Sequence, residues 1–370
     1  MQRRALTEDT FYLNLGPQHP STHGVLRLLL RLDGERIVEA QPVLGYSHRG
    51  HEHMAQNRTY LQFLPNTSRM DYLAGFMFNH AYCLAVERAC GIEAPPRAEC
   101  IRAICAELNR ISSHLLWFGA YLLDLGAFTP FLWAFDDRED ILAILAAVTG
   151  SRLTYCYARF GGVCRDVDES FAAGIRAFIP KMRARLRDYD TLVGKNVIFI
   201  NRTRGIGVIS PELAQSHALS GPCLRASGVA HDIRRAEPYS FYPSLDFETP
   251  VGQSGDCYDR YLVRMAEIEQ SLRIVEQLLE RLPAGRFRAE GVPQWIEPPA
   301  GQYHSSYETA RGHLGIFMES DGSRVPQRMK WRTPSFSNLG VLPVILPDTL
   351  VADTIAILGS IDVVMPEIDR

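Results

Sequence analysis

The sequence predicts an α+β fold: a mainly helical bundle core carrying an N-terminal antiparallel sheet and a C-terminal strand and helix segment. Three observations predict it. Residues 25–32 and 37–44 are β-type apolar runs on either side of an Asp33-Gly34 turn, the pattern of a hairpin. From residue 51 onward, long stretches repeat apolar residues three and four apart, the mark of amphipathic helices. Toward the C-terminus, short apolar runs mix with one more helical stretch. Residues 1–50 are therefore read as a β segment and 51–370 as a helical core with a C-terminal α+β segment, together one integrated domain.

The first helix is predicted over 70–90, through Leu73, Phe76, Met77, Ala81, Leu84 and Ala85, and ends before Gly91, which suits a C-cap. Pro95-Pro96 opens a second, with Ile101, Ile104, Leu108, Ile111 and Leu115 on one face. The most apolar stretch, 115–135, contains Asp124 and is broken by Gly126 and Pro130, so it reads as a buried helix followed by a turn and not as a membrane span. Further helices are predicted over 136–148, 168–192 and 256–282. Residues 196–255, rich in Gly, Pro, Ser and aromatics, read as irregular loops with short strands. A last helix is expected near 349–358.

A chain of 370 residues can bury a large core without disulfides. Its formal net charge of -3 gives no general attraction to nucleic acid, and no nucleic-acid partner is expected. The eight cysteines contain no C-x-x-C pair, so no metal is expected on this chain and the thiols read as free. Residues 1–10 lack the apolar core of a secretory signal, which places the chain on the reducing side of a membrane.

The segment Gly16-Pro17-Gln18-His19-Pro20-Ser21-Thr22-His23-Gly24 cannot be a helix. Its prolines fix φ and remove donors, so His19 and His23 sit on a stiff loop, suited to giving a hydrogen bond or a proton to a ligand. The same residues also suit turn histidines bonded to nearby carbonyls. His48, His51 and His53 form a second cluster around Glu52; a polar helix start is the favoured reading over a metal site. Gly205-Ile206-Gly207 lacks the rest of a dinucleotide fingerprint and reads as a loop. Asp124 ends a very apolar helix, where a buried carboxylate needs a partner, for which His23 is one candidate and water another. Tyr72 starts the first long helix and suits packing; Arg49 suits either solvent or a negative group.

The opening loop, followed by Val25-Leu26-Arg27-Leu28, resembles the D subunit of NADH-quinone oxidoreductase, a respiratory complex I family related to the large subunit of nickel–iron hydrogenases. Arg58-Thr59-Tyr60-Leu61-Gln62, Arg69-Met70-Asp71-Tyr72, Leu123-Asp124-Leu125-Gly126-Ala127, Gly255-Asp256-Cys257-Tyr258-Asp259-Arg260 and Pro334-Ser335-Phe336 follow in that family's order. The resemblance runs from about residue 11 to the end.

The resemblance implies the hydrogenase large-subunit fold without its metal site, since both C-x-x-C pairs are missing. It implies a peripheral-arm core subunit of a proton-translocating enzyme, at the cytoplasmic face of the cell membrane and anchored by other chains. Quinone would be substrate, bound by His19, His23 and Tyr72; His23, Tyr72 and Asp124 would be the catalytic residues, with Asp124 backing the imidazole. Arg49 would lie beside the terminal iron–sulfur cluster of a partner subunit. Other peripheral-arm subunits and a membrane-embedded subunit are the further partners implied, and no cofactor is bound by this chain itself.

Four departures from the family pattern mark a divergent branch: Thr154 in place of a histidine, His51 and His53, a shortened stretch before Glu308, and Pro366 in place of glycine. They leave room for a donor other than NADH, and for a second class of function, a non-catalytic scaffold in a related complex.

Overall fold

The computed structural model describes residues 10–18 and 24–370, so the loop bearing His19 and His23 is seen only at its two ends and both histidines lie outside the described residues. Strands β1 (Phe11–Leu15), β2 (Arg27–Asp33) and β3 (Arg36–Val43) form an antiparallel sheet in that order. Asp33 pairs with Arg36, leaving a two-residue turn in which Gly34 adopts φ 60°, a conformation glycine takes without penalty. Leu28, Leu30 and Leu32 alternate into the core. They join a cluster with Leu339, Leu342, Ile357, Leu358, Met365 and Ile368 from the C-terminal end of the chain. The two ends of the sequence thus share one apolar core.

Short helices α1 (His51–Ala55) and α2 (Tyr60–Thr67) lead into α3 (Gly75–Cys90), α4 (Pro96–Asp124) and α5 (Phe128–Thr149). Thr59 and Gln62 close a reciprocal capping box at the start of α2. Helix α3 starts five residues later than the pattern suggests. Asp71 Oδ1 accepts hydrogen bonds from the N–H groups of Leu73 and Ala74, and this local turn competes with a helical start at residue 70. Tyr72 consequently lies on the turn before α3. Helix α5 starts eight residues earlier than expected: Pro130 is its third residue, where a missing N–H breaks no intrahelical bond.

Helix α4, about 43 Å long at 1.5 Å per residue, runs through the middle of the larger core and is buried on nearly every side. The small hairpin β4 (Ala158–Arg159) and β5 (Gly162–Val163) precedes α6 (Glu169–Tyr189), capped by Asp168 and ended by a π turn at Asp190–Gly194. The irregular region holds short helices, α7 (Val197–Thr203), α8 (Pro211–Ser216), α9 (Gly221–Ala226) and α10 (Ile233–Ala236), in place of the predicted strands. Side-chain caps from Asn196, Ser210 and Asp232 start three of them, so turn-forming residues that suggested loops act as N-caps. Helix α11 (Cys257–Glu280) is capped by Asp256.

The C-terminal part is a second antiparallel sheet, β6 (Gly301–Thr309), β7 (Gly312–Ser320) and β8 (Arg328–Arg332), followed by α12 (Pro334–Leu339), α13 (Leu342–Ile345), α14 (Val351–Ile361) and α15 (Met365–Asp369). Among the described residues no helix is long and apolar enough to cross a membrane. Pro366 falls in the first turn of α15, where proline is tolerated.

The β6–β7 turn is driven into the interior. Arg110 of α4 donates to the carbonyls of Thr309 and Glu308, each at 2.8 Å. On the other side, Gly312 and Gly221 lie backbone to backbone: a Cβ on Gly312, which has φ +127°, would come within 2.5 Å of Gly221 N and 2.6 Å of Ser220 Oγ. Replacing Gly312→Ala is expected to destabilise the chain by about 3 kcal/mol or more, from clash and backbone strain together. Chemical denaturation compared with the wild type measures it, and an unchanged midpoint would show that the turn can move aside.

Candidate functional site

At the tip of that turn, Arg311 is completely buried. Its Nη1 donates to Asp71 Oδ2 at 2.7 Å, across 240 residues of sequence, and its Nη2 donates to Asp362 Oδ1 at 3.4 Å. Asp71 belongs to the turn before α3, and Asp362 follows α14 in a left-handed conformation with φ 60°. Arg264 of α11 approaches Asp362 at 3.9 Å and stacks over Trp117 of α4. Three segments distant in sequence therefore meet at one guanidinium, and α11 joins them through Asp362. Burial pushes the Asp71 carboxyl above the usual range against the pull of Arg311, while the surrounding carboxylates hold Arg311 firmly protonated.

Tyr72 stands directly on this cluster. Met70, Asp71 and Leu73 point inward, and Tyr72 keeps 37% of its surface open. Burial of its inner part and the charge of Asp71 raise the phenol pKa, so the group is a protonated hydrogen-bond donor at neutral pH. Arg69, three residues earlier, is also exposed. Arg49 reaches the same turn: its Nη2 donates to the Arg69 carbonyl at 2.8 Å, and its backbone N–H donates to the carbonyl of Arg370 at 3.1 Å. Arg49, Arg69 and Tyr72 thus gather at one exposed edge, and partial burial, together with mutual repulsion with Arg69, lowers the Arg49 pKa.

The C-terminus fixes this edge. Asp369 accepts hydrogen bonds from the N–H groups of Gly45 and Ser47 at 2.9 and 2.7 Å, and His48 Nδ1 lies 2.6 Å from the Asp369 carbonyl. His48 precedes α1, so it does not share a helical face with His51. His51 is buried, and desolvation with the nearby Arg49, Arg69, His48 and Arg58 charges lowers its pKa to about 4. Among the described residues no group of three or more His, Cys, Asp or Glu is placed to hold a metal. Leu153 presents its carbonyl against Gly75 at the start of α3, so Thr154 lies close to the Tyr72 turn.

The family of the respiratory-chain NADH dehydrogenase 49 kDa subunit matches this chain over residues 124–297 and 290–370. The NADH-quinone oxidoreductase D subunit of Syntrophobacter fumaroxidans is 61% identical over 365 residues, covering 99% of this chain and 98% of that protein. Its counterpart in Desulfotalea psychrophila is 53% identical over 363 residues, with 98% of both chains covered. A D-type subunit of the same enzyme from Opitutus terrae is 52% identical over 362 residues, covering 98% of this chain and 91% of that one. The chain belongs to the 49 kDa subunit family.

Of the residues assigned from resemblance to this family, Tyr72 and Arg49 come together through the Arg69 turn. Asp124 is the last residue of α4, partly buried. The base of the His19 and His23 loop is held by the β1–β2 ladder, which pairs Leu15 with Leu28. Val25 and Leu26, just after the loop, belong to the same apolar cluster as Ile361, Val363 and Met365, the residues flanking Asp362. A groove of about 540 Å³ between α6 and α11 holds none of these residues; its Arg183 already pairs with Glu269 and Glu276.

Sequence reasoning assigned no role to Asp71, Arg311, Asp362 or Glu367. One signal was available: charged residues embedded in apolar or tightly turning segments, as in Ile361-Asp362-Val363-Val364-Met365, need buried partners. Replacing Arg311→Met leaves Asp71 and Asp362 without their shared cation, an expected cost of about 3–5 kcal/mol near neutral pH. Denaturation at several pH values checks this. The cost should shrink in acid, where the Asp71 carboxyl, already pushed up by burial, is protonated, and a loss independent of pH would mean that packing, and not charge, dominates.

Proposed function

We propose that this chain is a peripheral-arm core subunit of a proton-translocating NADH-quinone oxidoreductase, forming the quinone-binding and protonation site beside the terminal iron–sulfur cluster of a partner subunit. The observation that carries the reading is Tyr72: a half-open phenol, held by the buried Asp71–Arg311–Asp362 cluster, at an edge that also presents Arg49 and Arg69. The names of the relatives supply NADH as donor and quinone as acceptor.

The chemistry suits the residues. A quinone that accepts two electrons becomes basic at both oxygens and needs a donor at each as charge develops. Tyr72 is one donor and His23 the other, with His19 as a further quinone-binding residue. Asp124 would accept a hydrogen bond from the His23 imidazole, fixing its tautomer and stabilising its cationic form. Arg49 and Arg69 place positive charge where the partner's cluster is expected, which favours its reduced state. This chain binds no cofactor in this scheme; quinone is its substrate, and electrons arrive from the partner. Other peripheral-arm subunits and a membrane-embedded subunit complete the assembly and hold the chain at the cytoplasmic face of the cell membrane.

Tyr72→Phe and His23→Ala, each in the assembled complex, are expected to lower quinone reduction by about 100-fold or more, with NADH-driven reduction of the iron–sulfur clusters unaffected. Turnover is followed with a soluble quinone and cluster reduction by electron paramagnetic resonance. Wild-type turnover in both variants would remove the assignment and favour a scaffold that docks its neighbours without touching quinone.

A further inference from the structure

The exposed side of α11 carries a surface feature that the quinone chemistry leaves unused. The groove of about 540 Å³ between α6 and α11 runs on into a second hollow of about 720 Å³, with Arg183 and Arg187 common to both. A third hollow, of about 430 Å³, shares Leu262 with the second and reaches Arg204 and the loop at Val251. Together they make one channel that follows α11 from Glu280 back to its cap at Asp256, about 36 Å at 1.5 Å per residue. That length suits a helix of about 24 residues or an extended strand of about 11.

Apolar surface lies open along it. Leu262 and Val251 are each 41% exposed. Val197 and Ile198, which follow the channel residue Lys195 in sequence, are 68% and 73% exposed. Apolar side chains gathered in this way and rimmed by charge mark a surface that another molecule covers.

The charges narrow the choice of molecule. Most carboxylates along the channel are engaged: Glu269 and Glu276 pair with Arg183 at 2.9 and 3.0 Å, Asp190 pairs with Lys195 at 2.6 Å, and Asp256 and Asp259 accept backbone N–H groups. Arg187, where the first two hollows join, and Arg204, at the α7 end, are exposed. Among the described residues neither forms an ion pair, and Arg204 rests over the Tyr258 ring at 5.0 Å. Glu280, at the opposite end, likewise has no cation among the described residues. A contact between two copies needs a self-complementary patch, which a concave channel is not, and mixed charge suits an anionic lipid surface poorly. The relatives of this chain are subunits of an oxidoreductase, which makes a neighbouring polypeptide the fitting occupant.

We propose that the channel seats one segment of a neighbouring subunit of the same enzyme, apolar on the side facing Leu262 and Val251 and carrying carboxylates opposite Arg187 and Arg204. This rests on the assembly described above, in which other peripheral-arm subunits surround the chain, and not on the quinone role of Tyr72. The apolar contacts hold the segment, and the two guanidinium groups set its direction along α11.

Photo-crosslinking in the assembled complex tests this. A benzophenone side chain in place of Leu262 should join, on illumination, to one peptide of a neighbouring subunit, with Asp or Glu close to the linked position by mass spectrometry. The same group in place of Trp295, exposed but outside the channel, should not reach that peptide. Arg187→Glu with Arg204→Glu should lower the crosslink yield about tenfold, Arg187→Lys with Arg204→Lys should retain it, and quinone reduction per assembled complex should stay at the wild-type rate in both. Arg187→Gln alone, with a smaller loss of yield, serves if the charge-reversed pair fails to assemble. Linkage only to lipid, only to a second copy of this chain, or to no protein overturns the seating, as does a yield indifferent to these charges. If Tyr72→Phe keeps full turnover while the crosslink forms as expected, the channel stands and the quinone role of Tyr72 falls. Turnover lost in Tyr72→Phe beside a crosslink to lipid alone gives the reverse.

Discussion

Everything near Tyr72 depends on a guanidinium placed where water cannot reach it. Taking a charge of that size out of water costs several kcal/mol even after relaxation, so Arg311 is tolerable only while Asp71 and Asp362 stand beside it. That requirement ties together the turn before α3, the β6–β7 turn and the end of α14. It also removes freedom from Tyr72, whose backbone neighbour is locked by three hydrogen bonds to the Asp71 carboxylate. Substrate-positioning side chains gain most from such rigid support.

The cluster has a larger companion. Arg225 joins Glu267 and Glu308 at 2.7 and 2.9 Å, Arg234 joins Asp232 and Glu107, and His114 bonds Glu267 at 3.0 Å. There Glu107 and Glu267 have cations to hold them, and both fall well below the usual range, Glu107 to about 2. Burial outweighs the neighbouring cations at Glu308, Asp71 and Glu367, whose carboxyls move up. These paired groups fix helices α4 and α11 to the β6–β7 hairpin.

Much of this was legible from residue order. The β2–β3 hairpin follows from alternation about Asp33-Gly34, and α4 and α11 from their apolar spacing, because such patterns report burial directly. Helix starts were less legible. Asp71 could cap a helix or turn the chain, and only its pairing with Arg311 decides. Pro130 looked like a breaker but sits in a first turn, and Asn196, Ser210 and Asp232 marked helix starts inside a region that read as loops. Tyr72 and Arg49 were identified through resemblance to relatives. The Asp71–Arg311–Asp362 contact was not, since no local pattern links residues 71, 311 and 362. Such contacts exist only once the chain ends have folded back on each other.

Three residues that stood out in the sequence lie near this edge. His51 is buried and neutral beside Arg49, Thr154 lies near the start of α3, and Pro366 falls in the first turn of α15. The most direct test is a structure of the assembled complex with a short-chain quinone bound. A headgroup oxygen is predicted within about 2.7–3.0 Å of the Tyr72 oxygen, at hydrogen-bonding distance, with the Arg311–Asp71 pair intact beneath it. An ordered headgroup making no contact with Tyr72 would contradict it.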